Sequence, residues 1–72
     1  MRMSQICASM AGTVWKVLVQ AGDEVKAGQE VVILESMKME VPITAEADGV
    51  VHEIKAESGS FVGEGDILIE LK

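Results

Sequence analysis

The residues best suited to chemistry stand together in mid-chain, where Lys38 lies between two methionines in Glu35-Ser36-Met37-Lys38-Met39-Glu40. A primary amine attacks activated acyl groups once it has lost its proton, so a presented lysine can be loaded covalently. The other reactive side chains are isolated. Cys7 is the sole thiol and His52 the sole imidazole, which excludes an intrachain disulfide and a cysteine zinc site and leaves no Cys-His pair. Met1, Met3, Met10, Met37 and Met39 could with Cys7 supply soft ligands for Cu(I), but the methionines are not clustered as such a site requires, and Met10 and Cys7 stand at expected strand or turn positions where core packing is the default. Neither a catalytic set nor a metal site is expected.

The elements that must position Lys38 come from an internal repeat. Displacing the sequence by 37 positions lays residues 4–35 over 41–72. Ile6, Ala8, Gly12, Val14, Gly22, Val25, Gly28 and Leu34 then fall on Ile43, Ala45, Gly49, Val51, Gly59, Val62, Gly65 and Leu71. Chance would give roughly two or three such matches. Each copy carries one pattern of spaced glycines around a valine, Gly22-Asp23-Glu24-Val25-Lys26-Ala27-Gly28 and Gly59-Ser60-Phe61-Val62-Gly63-Glu64-Gly65. Glycines so spaced suit positive-φ turns on either side of a short strand.

Between the turns the runs are short and rich in β-branched residues, which predicts strands over 5–8, 12–19, 30–35, 41–44, 49–55 and 66–71, with no helix of ordinary length. The expected fold is all-β: two small antiparallel sheets packed face to face as a flattened barrel with a pseudo-twofold axis, a barrel-sandwich hybrid. One domain, 1–72, contains the halves 4–35 and 41–72 and a hairpin tip at 36–40. Val14, Val17, Val25, Ile33, Ile43, Val51, Ile54, Val62, Ile67 and Leu71 are assigned to the core. Val31 to Leu34 is apolar at every position and gives no register. Trp15 overlays His52, so the two should occupy equivalent surface positions.

If Leu34 and Val41 lie on adjacent antiparallel strands, a two-residue turn centres on Met37-Lys38. Such turns hold both central residues at positive φ and favour Asn-Gly or Asp-Gly. Met-Lys breaks that preference at the point of greatest exposure, where function is to be sought.

Composition bounds the rest. The 72 residues are 49% hydrophobic, 25% charged and 3% aromatic, with a formal net charge of −6. This is one small soluble domain, too short to wall off a catalytic cleft. An acidic surface with one Trp, one Phe and no Tyr is a poor partner for nucleic acid. Val31-Val32-Ile33-Leu34 is too short to span a bilayer, and the start has no signal-peptide stretch, so a cytoplasmic monomer without membrane association is expected. Glu35, Glu40 and Glu46 could steer a basic partner surface toward the tip.

Nearly the whole chain resembles the biotinyl/lipoyl attachment domains. The resemblance rests on Ala8-Ser9-Met10-Ala11-Gly12, the two glycine-bracketed turns and, above all, Glu35-Ser36-Met37-Lys38-Met39-Glu40. It implies that Lys38 is the biotinylation site and that a biotin protein ligase reads Met37 and Met39 within the frame of Glu35, Ser36 and Glu40. The chain would then be a non-catalytic carrier that passes a carboxyl group from a biotin carboxylase to a carboxyltransferase. Lipoyl domains look similar but usually carry Asp-Lys-Ala at the turn. Ser36, where Ala is most usual, resembles the Thr of many lipoyl motifs and keeps a lipoate ligase and a lipoyl carrier for a 2-oxo-acid dehydrogenase or glycine-cleavage system as the alternative. Ser9 and Ala11 stand where many relatives have prolines. The halves pair without the inserted thumb of some carboxyl carriers, so the resemblance is to the free-standing bacterial subtype. A small adaptor barrel with no modification is the remaining reading, and under it Lys38→Arg is silent.

Overall fold

The computed structural model describes residues 4–72. Eight strands follow one another: β1 (Ser4–Cys7), β2 (Gly12–Val17), β3 (Glu24–Val25), β4 (Glu30–Ser36), β5 (Met39–Thr44), β6 (Gly49–Ile54), β7 (Phe61–Val62) and β8 (Ile67–Leu71). They form two four-stranded antiparallel sheets, in the orders β1-β8-β6-β3 and β5-β4-β2-β7. The 37-residue displacement carries β1–β4 onto β5–β8, so it exchanges the two sheets. Each sheet therefore takes strands from both halves of the chain.

Hydrogen bonds between the halves obey the same symmetry. The Gly22 N–H donates to the Val51 carbonyl (2.8 Å), as the Gly59 N–H does to Val14 (2.7 Å). The Gly28 N–H donates to Ala45 (2.8 Å), and the Gly65 N–H to Ala8 (2.9 Å). These four glycines have φ between 87° and 94°, the left-handed values that their spacing predicts. Each turn is thus fastened to the opposite half, and neither copy could satisfy its backbone alone.

The core lies between the sheets, with Val14, Val25, Val31, Val32, Leu34, Val51, Leu68 and Ile69 its most deeply buried members. Of the residues assigned to it from sequence, Val14, Val25, Ile43, Val51, Val62 and Leu71 are buried, whereas Val17, Ile33 and Ile54 are half-buried. Ile67 is a correction, being 37% exposed. The cause is a register shift: Ile6 faces Ile69 but Cys7 faces Ile67, so Leu68 is an extra residue and the parity of β8 reverses there. Leu68 and Ile69 both point inward and Ile67 points out. The same device in β4 turns both Val31 and Val32 inward, at the shift between Glu30 and Val32.

A second symmetric pair of bulges inserts Trp15 in β2 and His52 in β6. Both residues are exposed at equivalent positions, as the overlay predicts. Lys16 Nζ stands 5.0 Å from the centre of the Trp15 ring. On the other sheet the bulge gathers donor atoms of His52, Glu53 and Glu70 within 4.8 Å of one another, while Lys55 pairs with Glu53 at 3.2 Å.

Candidate functional site: the Met37-Lys38 hairpin

The β4–β5 hairpin is paired from Leu34 with Val41, through Glu35 with Glu40, to Ser36 with Met39. Only two residues remain for the turn. Met37 has φ 52° and Lys38 φ 65°, the two positive-φ residues other than glycine among those described. This is the tight turn expected from the sequence, and it is narrower than the 36–40 tip, because Ser36 and Met39 belong to the strands. A left-handed conformation costs a side-chain-bearing residue about 1–2 kcal/mol, and here two adjacent residues adopt it. Strand pairing on both sides imposes that conformation on the tip.

The side chains at the tip are turned out to water. Met37 is 91% exposed and Met39 65%. Lys38 is exposed, and among the described residues its Nζ has neither a hydrogen-bond nor an ion-pair partner. Ser36 is half-buried, while Glu35 and Glu40 are exposed and face each other across the ladder. Like charges directly opposite repel, so the base of the hairpin carries a concentrated negative potential below a free amine.

Beneath this hairpin lies Gly12. A Cβ there would sit 2.9 Å from the Glu35 carbonyl oxygen and 3.5 Å from Ser36 Cβ, so the absent side chain lets β2 approach the last pairs of β4. The turn is held from below by backbone packing and from the sides by its ladder.

The arrangement presents an amine, and it does not enclose one. A groove of about 170 Å³ is lined by Cys7, Ser9, Pro42, Ile43, Thr44 and Glu46, between the edge strands β1 and β5, and Lys38 is not part of it. Met10 packs against the core, apart from the exposed methionines of the tip; Met1 and Met3 lie outside the described residues. What the tip can do chemically is offer one nucleophilic nitrogen to a reaction assembled by another protein.

A family model described as "Biotin-requiring enzyme", of the biotin/lipoyl type, matches residues 1–71. The chain belongs to the biotin/lipoyl attachment family. Among the relatives of this biotin/lipoyl domain is the biotin/lipoyl attachment protein of Bacillus subtilis, 58% identical over 92% of this chain and 90% of that protein. The biotin carboxyl carrier protein of Streptococcus mutans is 48% identical over 89% of this chain, which spans 49% of it. A similar solved structure is the urea carboxylase of Kluyveromyces lactis, with TM-score 0.91 and 31% identity over 99% of this chain and 6% of that one. The fold is therefore that of a carrier component, and the family is not itself catalytic.

The six residues of the attachment motif, Glu35 to Glu40, fall on one hairpin, whereas Glu46, grouped with Glu35 and Glu40 as a steering charge, lies beyond β5 in the groove beside Cys7. Sequence reasoning missed Gly12 as the support of the tip and the cluster of His52, Glu53 and Glu70. For Gly12 the signal was its place in the repeat, opposite Gly49. For the cluster it was the overlay of Ile33 with Glu70, which marks position 70 as outward-facing.

Proposed function

We propose that Lys38 is biotinylated by a biotin protein ligase and that the loaded hairpin moves a carboxyl group between a biotin carboxylase and a carboxyltransferase. The observation that carries this reading is the Met37-Lys38 turn, held at positive φ with its amine unpartnered in water. The carboxyl carrier and carboxylase relatives support biotin over lipoate.

The donor set fits covalent attachment. Lys38 Nζ, freed of a proton, attacks the carbonyl carbon of an acyl-adenylate; the bond from that carbon to the phosphate oxygen breaks, AMP departs, the nitrogen gives up a second proton to solvent, and an amide remains. The formal net charge moves from −6 to −7 because one ammonium is lost. When bound, biotin supplies the ureido nitrogen that takes up and releases the carboxyl group. The turn fixes where the arm leaves the protein, and tethering raises the local concentration of cargo at each partner's site. Met37 and Met39 offer the ligase apolar surface beside the amine, and Glu35 with Glu40 steers a basic partner toward it.

Intact mass and peptide mapping of the protein from its native cells test the reading. A biotinyl adduct on Lys38 is expected. A lipoyl adduct would redirect the assignment to lipoate-dependent acyl or aminomethyl transfer, and an unmodified Lys38 in cells with active ligases would overturn it.

A further inference from the structure

Met37 is among the largest exposed apolar side chains of the molecule, and it occupies a left-handed turn position that favours Asn, Asp or Gly. Neither packing nor turn geometry accounts for a thioether there. With Met39 it forms an apolar pair on both sides of the amine, exposed in the free chain and available for burial only when a partner sits on the tip.

Resting on the biotin reading above, we propose that Met37 and Met39 are a redox-sensitive gate on loading: their oxidation to sulfoxides by a peroxide blocks modification of Lys38, and reduction restores it. In the step, the thioether sulfur attacks the peroxide, the O–O bond breaks, one oxygen stays on sulfur and the other leaves as water. A methionine sulfoxide reductase returns the thioether at the expense of a thiol pair, which becomes a disulfide while the sulfoxide oxygen leaves as water with the two thiol protons.

The structure makes this gate selective in two ways. Oxidation of a core methionine disrupts packing, but Met37 and Met39 touch little of the fold, so their sulfoxides leave the barrel intact and alter only the surface offered to a partner. Met10, packed against the core, is shielded by comparison. A sulfoxide oxygen is a strong hydrogen-bond acceptor, and a partner surface shaped for a thioether must desolvate it without compensation.

The test is to treat the unloaded chain with hydrogen peroxide, remove the excess with catalase, map the sulfoxides by mass spectrometry, and measure biotinylation by a biotin protein ligase. Sulfoxide at positions 37 and 39 is expected to lower the loading rate about tenfold or more, the scale set by burying one such side chain. Methionine sulfoxide reductase should restore the rate. The ratio of treated to untreated rate is measured also for Met37→Leu/Met39→Leu and for Cys7→Ser, since the exposed Cys7 thiol is a competing target. The ratio should approach unity in the first variant and match wild type in the second. Unchanged loading of chain shown to carry both sulfoxides overturns the gate, as does a fall that the reductase does not reverse or that persists without the two methionines. An untreated chain that accepts no biotin overturns the carrier reading itself, and the gate with it.

Discussion

Gly12 and Gly49 are related by the internal twofold, yet their surroundings differ in a way that makes them a matched pair. A Cβ at Gly12 meets a backbone oxygen, Glu35 O, at 2.9 Å, whereas one at Gly49 meets Leu71 Cβ and Cδ1 at 3.3 Å. In Gly12→Ala the strand itself must move, and overpacking of this kind costs about 1–3 kcal/mol. Neither glycine has a positive φ, so each alanine also narrows the unfolded ensemble and returns about 0.4–1 kcal/mol. The net expectation for Gly12→Ala is a loss of about 1–2 kcal/mol, which for a domain of this size lowers Tm by about 4–16 °C. Gly49→Ala, whose Cβ would meet the buried Leu71 side chain at 3.3 Å and no backbone oxygen at 2.9 Å, asks for a smaller shift and should lower Tm by less than Gly12→Ala does. Because the Glu35 carbonyl belongs to the hairpin, Gly12→Ala should also shift the amide resonances of residues 35–40 and slow ligase-catalysed loading of Lys38, while Gly49→Ala does neither. Thermal melts, amide spectra and loading rates on the two variants decide the matter. Equal stability of the two, or a Gly12→Ala protein with unmoved tip resonances, would refute the claim that Gly12 holds up the tip.

Three further outcomes follow from the hairpin. Met37→Asn/Lys38→Gly should raise stability by about 1–2 kcal/mol in urea unfolding, because glycine carries no left-handed penalty and asparagine tolerates that conformation better than methionine, and should abolish labelling. Lys38→Arg should keep the wild-type melting curve but accept no biotin in a mass assay, since a guanidinium does not serve as the acyl acceptor; any adduct in that variant would place the attachment elsewhere. Glu40→Lys should turn the cross-strand repulsion with Glu35 into attraction, a gain of about 0.2–1 kcal/mol at low salt that disappears at high salt. The same variant should load more slowly at low salt; a salt-independent loading rate in the unaltered chain would argue against steering.

The turn could be read from the sequence because it depends on local counting: a repeat leaves five residues between its copies, and antiparallel pairing of Leu34 with Val41 forces a two-residue connection. The glycine turns were legible for the same reason, since Gly22, Gly28, Gly59 and Gly65 recur at one spacing. What could not be read was parity. A bulge adds one residue and reverses every side chain beyond it, without a residue type that announces it. Strict alternation from Leu71 therefore places Ile67 inside, and an unbroken apolar run does not separate Val31 from Val32. The repeat itself held part of the answer, because an inward Ile33 would require an inward Glu70. Gly12 as a support depends on the distance between β2 and the end of β4, which no single-strand pattern encodes.

The pairing of Ser4 with Leu71 has a consequence of its own. The twofold carries the β4–β5 connection onto the place where β8 ends beside the start of β1, so the chain enters and leaves the body through neighbouring strands, at the symmetric counterpart of the lysine-bearing loop. A body built this way can be spliced into a much longer polypeptide through a single doorway while its lysine-bearing tip stays clear of the junction. The same architecture can then serve as a detached unit or as a small cassette, as it does within the urea carboxylase that it matches along 6% of that chain.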